Sequence, residues 1–428
     1  RGEIYRRYID RYIAMPSNPA FLDSEALLNS CYHFKQQHQV RNRFRNIPEM
    51  FAKGKNALGV RHMFIASWNR SGFDQDYPDF QPDMELGTPM ALYRGVQHVN
   101  ENGGFVTFYI NVRIFDVNSY FYPTLGKKWA IKDDRQEMMP EQYGPYHFTV
   151  NCPSHDEWQD HIIDTAVWMV QSYGAKGIYL DQLGSAEPFP CYDPAHSHAD
   201  NGQFNNGYVR VLREVLEQVR ARDPETFLMI ENCGDIYGPY VWGSLTWNGE
   251  FYDEFFNVFK YTFPEYVQVN MVNPRRGLTG EERRDRLHRD VARAMLLGSV
   301  FWIHFEPSND PADPAVQHMH AAARFRTSVQ PWIASAVYVD DEGVTASDGL
   351  DVSRWRLADG GELLLIANLQ RRSGGTVTLQ GGLAGRQARC EITDMDGGRS
   401  EAAAACADGR LTVSVPAAEL SCVKIRFE

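Results

Sequence analysis

Short apolar runs alternate with longer stretches of helical periodicity from about residue 27 to residue 330, the rhythm of a parallel α/β fold in which helices cover the strands. The pattern predicts eight strands, at 27–34, 61–67, 104–112, 177–181, 227–231, 244–247, 255–261 and 299–306. The sharpest helix follows the fourth of these. Tyr208, Val211, Leu212, Val215, Leu216 and Val219 share one face, and Asp223-Pro224 stops it. Another runs from Ser154, the expected N-cap, through Trp158, Ile162, Thr165 and Met169 to Gly174. Each leads into an apolar strand, as βαβ units require. The fold class expected is therefore α/β, a (β/α)8 TIM barrel over 27–335 preceded by a helical segment over 1–26.

Beyond about residue 335 the period shortens to alternating apolar and polar positions, at 352–357, 362–369, 376–379, 389–393, 411–415 and 421–427. Gly-rich turns separate these runs, which predicts a small antiparallel β-sandwich over 336–428.

Strand side chains point alternately into a barrel and out to its helices, so residues two apart share a face. In the third strand Tyr109, Asn111 and Arg113 oppose Phe108, Ile110 and Val112; in the fourth, Tyr179 and Asp181 oppose Ile178 and Leu180. In the fifth, Met229 and Glu231 oppose Leu228 and Ile230, and in the last Trp302, His304 and Glu306 oppose Phe301, Ile303 and Phe305. Four strands thus end in polar residues on one face, the layout of a site at the carboxyl ends of barrel strands. Asp181 and Glu231 end adjacent strands and should project over one mouth. A carboxylate pair can divide glycoside cleavage, one attacking the anomeric carbon and the other protonating the leaving oxygen. Glu231, after Phe227 and Met229, reads as the more sheltered and hence the general acid/base; Asp181 reads as the nucleophile. A single carboxylate of this kind is often only a helix cap or a structural ion pair; convergence of four strand ends weighs against that.

Bulk composition narrows the partners. A formal net charge of −12 disfavours nucleic acid and anionic membranes, and no apolar run is long enough to span a bilayer. Thirteen per cent aromatics, with 9 Trp and 21 Tyr, suit either sugar faces or ordinary barrel packing. The seven cysteines have no C-x-x-C spacing, so neither a disulfide framework nor a zinc site is implied. The chain starts at Arg1 rather than Met, which is compatible with a removed signal peptide or an upstream domain.

The stretch Gly177-Ile178-Tyr179-Leu180-Asp181-Gln182-Leu183-Gly184, with Cys191-Tyr192-Asp193-Pro194 and His196-Ser197-His198, resembles a bacterial family of glycoside-hydrolase-like proteins. That family is similar to the endo-α-N-acetylgalactosaminidases and, more remotely, to the α-amylase and α-galactosidase barrels. Trp68, the run Gly72-Phe73-Asp74-Gln75-Asp76-Tyr77-Pro78 and Asn111-Val112-Arg113 extend the likeness, which covers roughly residues 60–310. The resemblance implies Asp181 as nucleophile, Glu231 as acid/base and retention at an α-linkage, with no cofactor. The insertion 185–207 departs from those enzymes and leaves the sugar open.

Around this pair, Trp68 could form a sugar platform, with Asp74, Asp76 and Tyr77 holding hydroxyls; a turn and a helix cap are the structural alternative. Tyr179 and Arg113 are expected to bond Asp181, the arginine keeping it ionised. Gln182, Asn232, Trp247, His304 and Glu306 are expected to line the rim, although a lone histidine such as His304 is often a core residue. His196 and His198 are read as substrate contacts; with Cys191, Asp193 and Asp200 they also invite a metal reading, which their spacing does not favour. The expected partner is an oligosaccharide, polysaccharide or glycoconjugate. A non-catalytic sugar-binding barrel and a metal-dependent hydrolase are the competing classes.

Overall fold

Eight parallel strands close into a barrel in the order in which they occur along the chain. They are β1 (Leu27–Cys31), β2 (His62–Ile65), β3 (Phe105–Asn111), β4 (Gly177–Asp181), β5 (Phe227–Glu231), β6 (Gly243–Leu245), β7 (Val267–Met271) and β8 (Val300–Ile303). The computed structural model describes residues 2–428 except 14, 32, 186, 247–252, 306–309, 371, 372, 382 and 384. The chain forms two compact units: 13–20 with 28–245, and 1–12, 21–27 with 246–428.

One expected strand is corrected. The run 255–261 belongs to the helix Asp253–Thr262, and the seventh strand is Val267–Met271. Aromatics there imitate a strand, but Phe259, on the helix, packs with Phe263 and Tyr266 just past its end as one ring cluster at centroid distances of 5.0–5.9 Å. The true strand escapes the pattern because Gln268 and Asn270 interrupt its apolar positions, although both are fully buried. The helix Asp156–Tyr173 starts one residue later than expected, with His155 as its N-cap; Ser154 instead donates its hydroxyl to the Gln203 carbonyl.

Pairing from β2 to β6 aligns inward residues in rungs. Thr107, Gly177 and Phe227 occupy one rung; Tyr109, Tyr179, Met229 and Gly243 the next; Asn111, Asp181, Glu231 and Leu245 the uppermost. Below, the rings of His62, Phe105, Phe227 and Trp242 pack at centroid distances of 4.5–5.9 Å. Phe64, Tyr109 and Tyr179 form a second ring layer under the mouth. The lower barrel is filled by side chains, so only its upper rung can meet a ligand.

Two additions matter. Between β3 and β4 a three-stranded antiparallel sheet is inserted, from Ile114–Asp116, Pro140–Tyr143 and Tyr146–Val150. After the barrel, a six-stranded and a three-stranded antiparallel sheet form the sandwich anticipated from the alternation. Leu364, Ile366, Val423 and Ile425 from the first share a core with Val377, Leu379, Leu411 and Val413 from the second.

Gly177 is required by packing. A Cβ there would lie 2.0 Å from Thr107 Oγ1 and 2.8 Å from Phe227 Cζ, both inside the closed barrel. Gly177→Ala should cost about 1–3 kcal/mol by overpacking. Denaturant unfolding of the two proteins measures this, and an unchanged midpoint would show that the rung can relax.

Candidate active site

Three carboxylates meet at the barrel mouth: Asp181 at the end of β4, Glu231 at the end of β5, and Asp74 from the loop after β2. Asp181 and Glu231 follow the paired residues Leu180 and Ile230, so they stand side by side and both face inward. Gln182 and Asn232, the residues immediately after them, take left-handed backbone conformations with φ of 63° and 58°. The chain therefore turns sharply off each strand just past its carboxylate, in a conformation that costs a non-glycine residue stability.

Asp181 is held by several donors. Tyr109 donates its hydroxyl to Asp181 Oδ2 at 2.7 Å, and Asn111 Nδ2 donates to the same oxygen at 3.2 Å. Tyr109 is also hydrogen-bonded with Tyr77, whose oxygen accepts the Asp74 N–H at 3.0 Å. Burial and the charge of Glu231 push Asp181 well above the usual carboxylate range, while Tyr109 and Tyr179 work in the opposite direction through hydrogen bonds. Both carboxylates keep some exposure. Glu231 accepts from the exposed Ser185 hydroxyl at 2.5 Å.

Arg113 does not reach Asp181. Its Nε donates to Glu141 of the inserted sheet at 2.8 Å. Tyr143, also from that sheet, donates to Glu141 and accepts from Gln182 Nε2. Gln182 Oε1 accepts from Asn111 at 2.9 Å, and Asn111 Oδ1 accepts the Arg113 and Ile114 N–H groups. Those two backbone donors fix which way the Asn111 amide points, and so aim its NH2 at Asp181. The arginine's charge is spent on Glu141; its part is to hold the insertion that orients the amides.

Other expected contacts are corrected as well. Trp68 is fully buried, donates to the Tyr109 carbonyl at 2.9 Å and packs edge-on against Phe108, so it is a wedge in the barrel wall and no sugar platform. Tyr77 is fully buried beneath Asp74 and belongs to the hydroxyl chain. Asp76 accepts from Ser71 within its own loop, and Asn232 turns its Oδ1 onto the Cys233 N–H. His196 is buried beside Cys191 rather than open to substrate; Cys152, His196 and His198 gather with Cys191 into one cluster, whereas Asp200 bonds locally to Gly202 and Gln203. His304 lies after β8, where its N–H donates to Asn273 Oδ1 at 2.7 Å. Trp247 and Glu306 lie outside the described residues.

Sequence reasoning missed Glu141, Tyr143, Ser185 and Cys152. The only trace of the first two is their shared parity in a short polar strand, which says nothing of Arg113 or Gln182. Among the described residues no helix is long and apolar enough to cross a membrane.

A closed parallel barrel with acidic groups at its carboxyl end defines a (β/α)8-barrel protein with a strand-end site. The chain belongs to the family described as "Domain of unknown function (DUF6259)", whose model matches residues 3–267. A Bacteroides thetaiotaomicron protein named "Putative glycoside hydrolase" is 31% identical over 137 residues, 32% of this chain and 20% of that protein. A Monosiga brevicollis protein, "Putative glycoside hydrolase 22789", is 30% identical over 193 residues, 41% of this chain and 15% of its own length. The matched regions are thus a fifth or less of those longer relatives. In fold, the chain resembles a maltogenic α-amylase of Thermotoga neapolitana, with TM-score 0.66 and 11% identity over 94% of this chain and 99% of that one. It also resembles a Geobacillus stearothermophilus GH36 α-galactosidase, with TM-score 0.63 and 16% identity over 96% and 57% of the two chains.

The carboxylate crowding has a measurable consequence. Burial, with the charge of Glu231, pushes Asp74 up to about 7. A carboxyl that binds its proton more tightly when folded stabilises the fold at low pH, and that contribution is lost as pH rises from about 4 through about 7. Asp74→Asn should therefore gain on the order of 2 kcal/mol at about pH 8, allowing for partial solvent screening, and little at about pH 4. Urea melts at both pH values test this; equal shifts would place the effect elsewhere than in ionisation.

Proposed function

We propose that the chain is a retaining glycoside hydrolase for α-linked sugars, with Asp181 as nucleophile and Glu231 as general acid/base. The observation that carries this is the side-by-side placement of the two carboxylates on the uppermost rung, both facing inward from consecutive strands. Adjacent strands lie about 4.8 Å apart, which suits the roughly 5–5.5 Å carboxyl separation of retaining enzymes better than the wider gap inversion needs. The names of the two sequence relatives and the sugar-acting enzymes that share the fold support the same substrate class.

In the first step an oxygen of Asp181 bonds to the anomeric carbon as the bond to the leaving oxygen breaks, and Glu231 gives that oxygen its proton. In the second, Glu231 takes a proton from water, the water oxygen bonds to the anomeric carbon, and the ester to Asp181 breaks. A proton on Glu231 also removes the neighbouring charge that raises Asp181. Donation from Tyr109 and Asn111 then favours ionised Asp181, so one protonation state arms both groups. Asp74 and Gln182 edge the same mouth and can meet sugar hydroxyls, while the fully buried Asn111 keeps Asp181 oriented. The substrate is an oligosaccharide, polysaccharide or glycoconjugate, and no cofactor enters these steps.

Asp181→Asn should abolish turnover of a cleaved α-glycoside while leaving the circular dichroism melt intact; normal turnover would remove Asp181 from the mechanism. Glu231→Gln should lower kcat/KM about 10²–10⁴-fold on substrates with a poor leaving group, and far less on activated aryl glycosides that need no proton. Product anomers followed by NMR should be α at first release. Initial release of the β-anomer from an α-glycoside would recast Asp181 as a general base.

A further inference from the structure

Three side chains of one short segment meet a fourth from about forty residues earlier at a second place, within the barrel unit but separate from the carboxylates. Cys152 follows the inserted sheet and precedes the helix Asp156–Tyr173; Cys191, His196 and His198 lie on the long segment after β4. One ligand atom from each, two sulfurs and two imidazole nitrogens, all lie within 4.8 Å of one another. Tetrahedral zinc bonded to such atoms at its usual lengths would hold them about 3.3–3.8 Å apart. Cys191 Sγ and His196 Nδ1 are already 3.3 Å apart.

Three independent features fit a bound ion better than a hydrophobic pair of thiols. His196 turns its other nitrogen outward, 2.8 Å from the Lys128 carbonyl and 3.5 Å from the Asp193 carboxylate, which Lys132 also holds. That outer hydrogen bond puts the proton on Nε2 and leaves the Nδ1 lone pair facing the sulfurs, the arrangement common to metal-bound imidazoles. His198 Nε2 is buried with no hydrogen-bond partner among the described residues, a costly state for an imidazole nitrogen that carries neither proton acceptor nor ligand. Finally, three of the four, Cys152, Cys191 and His198, border a cavity of about 10 Å³ with Phe189 and Phe204, so the cluster is not closed off by packing.

From this geometry we infer that Cys152, Cys191, His196 and His198 form a structural zinc site. Thiolate and imidazole donors suit zinc and not the hard cations magnesium or calcium. Four protein ligands complete a tetrahedron and leave no position for water, so the ion would act as a clamp and not as a hydrolytic centre. The clamp ties the segment after β4 to the base of the inserted sheet. That segment carries Ser185, the partner of Glu231, and Phe189, whose ring lies 5.4 Å from the Arg113 guanidinium. Both contacts would loosen if the anchor were released.

Metal analysis of the purified full chain, after equilibration with zinc and exhaustive dialysis, should give about one zinc per chain. Cobalt(II) in its place should give the strong visible bands and thiolate charge-transfer absorption of a tetrahedral sulfur and nitrogen site. Asp193→Asn, which removes the anion 3.5 Å from His196 Nε2 but leaves the Lys128 carbonyl, should weaken zinc binding about 10-fold. Cys152→Ser should lose the metal, whereas His198→Cys should keep it with an altered cobalt spectrum, so that loss of folding in one variant does not decide the matter. Wild-type protein that retains no zinc, or in which Cys152 and Cys191 are joined as a disulfide, overturns the assignment. These readouts involve no glycoside, so their outcome is separate from that of the hydrolase reading.

Discussion

The mutual repulsion of Asp74, Asp181 and Glu231 is the constraint around which the barrel mouth is organised. Three like charges in a poorly hydrated space cannot all be present without compensation, and burial and neighbouring charge raise two of the three. Compensation comes from neutral donors. Tyr109, Asn111 and the chain of hydroxyls leading back to the Asp74 N–H face the carboxylates, while the nearby cation, Arg113, is matched to Glu141. A neutral donor set lets a proton move within the cluster; an arginine beside Asp181 would have fixed it as a permanent anion. Under the proposed mechanism that freedom lets the shared proton sit on Glu231 while Tyr109 and Asn111 hold Asp181 ionised.

Placing those donors takes most of the unusual structure in this half of the chain. The rungs of β3, β4 and β5 set Asn111, Asp181 and Glu231 at one height, and the aromatic layer below prevents the floor from sinking. Trp68 pins the Tyr109 backbone from outside the wall, and the inserted sheet grips Gln182 and Arg113 from above. Left-handed residues follow Asp181 and Glu231, and Asp74 itself has a φ of 55°. Left-handed backbone at Asp74 and just past the other two carboxylates fits positions set by the needs of the site, offset by the packing around it.

Much of the fold was legible along the chain. Periodicity of side chains is local physics, so helices with one apolar face, strand parity and the change of rhythm near residue 335 could be read directly. The failure at the seventh strand has the same root. Aromatics at 255–261 satisfy either period over so short a span, and only the folded backbone shows that the helix won. Val267–Met271 stayed hidden because barrel strands bury polar residues such as Gln268 and Asn270, whose hydrogen bonds come from elsewhere in the fold.

For the site, the sequence by itself determined that inward-facing polar residues end consecutive strands, because alternation fixes which face each occupies; hence Asp181 and Glu231 could be named from parity alone. What only the tertiary structure decided is who answers them. Glu141 captures Arg113, Trp68 and His196 are buried, Asp74 joins the carboxylates, and Cys152 joins a loop from which it is distant in the chain. Those pairings depend on distances between segments that no local period encodes, since electrostatic and hydrogen-bond partners are chosen by proximity in space and by the cost of leaving a buried group unmatched.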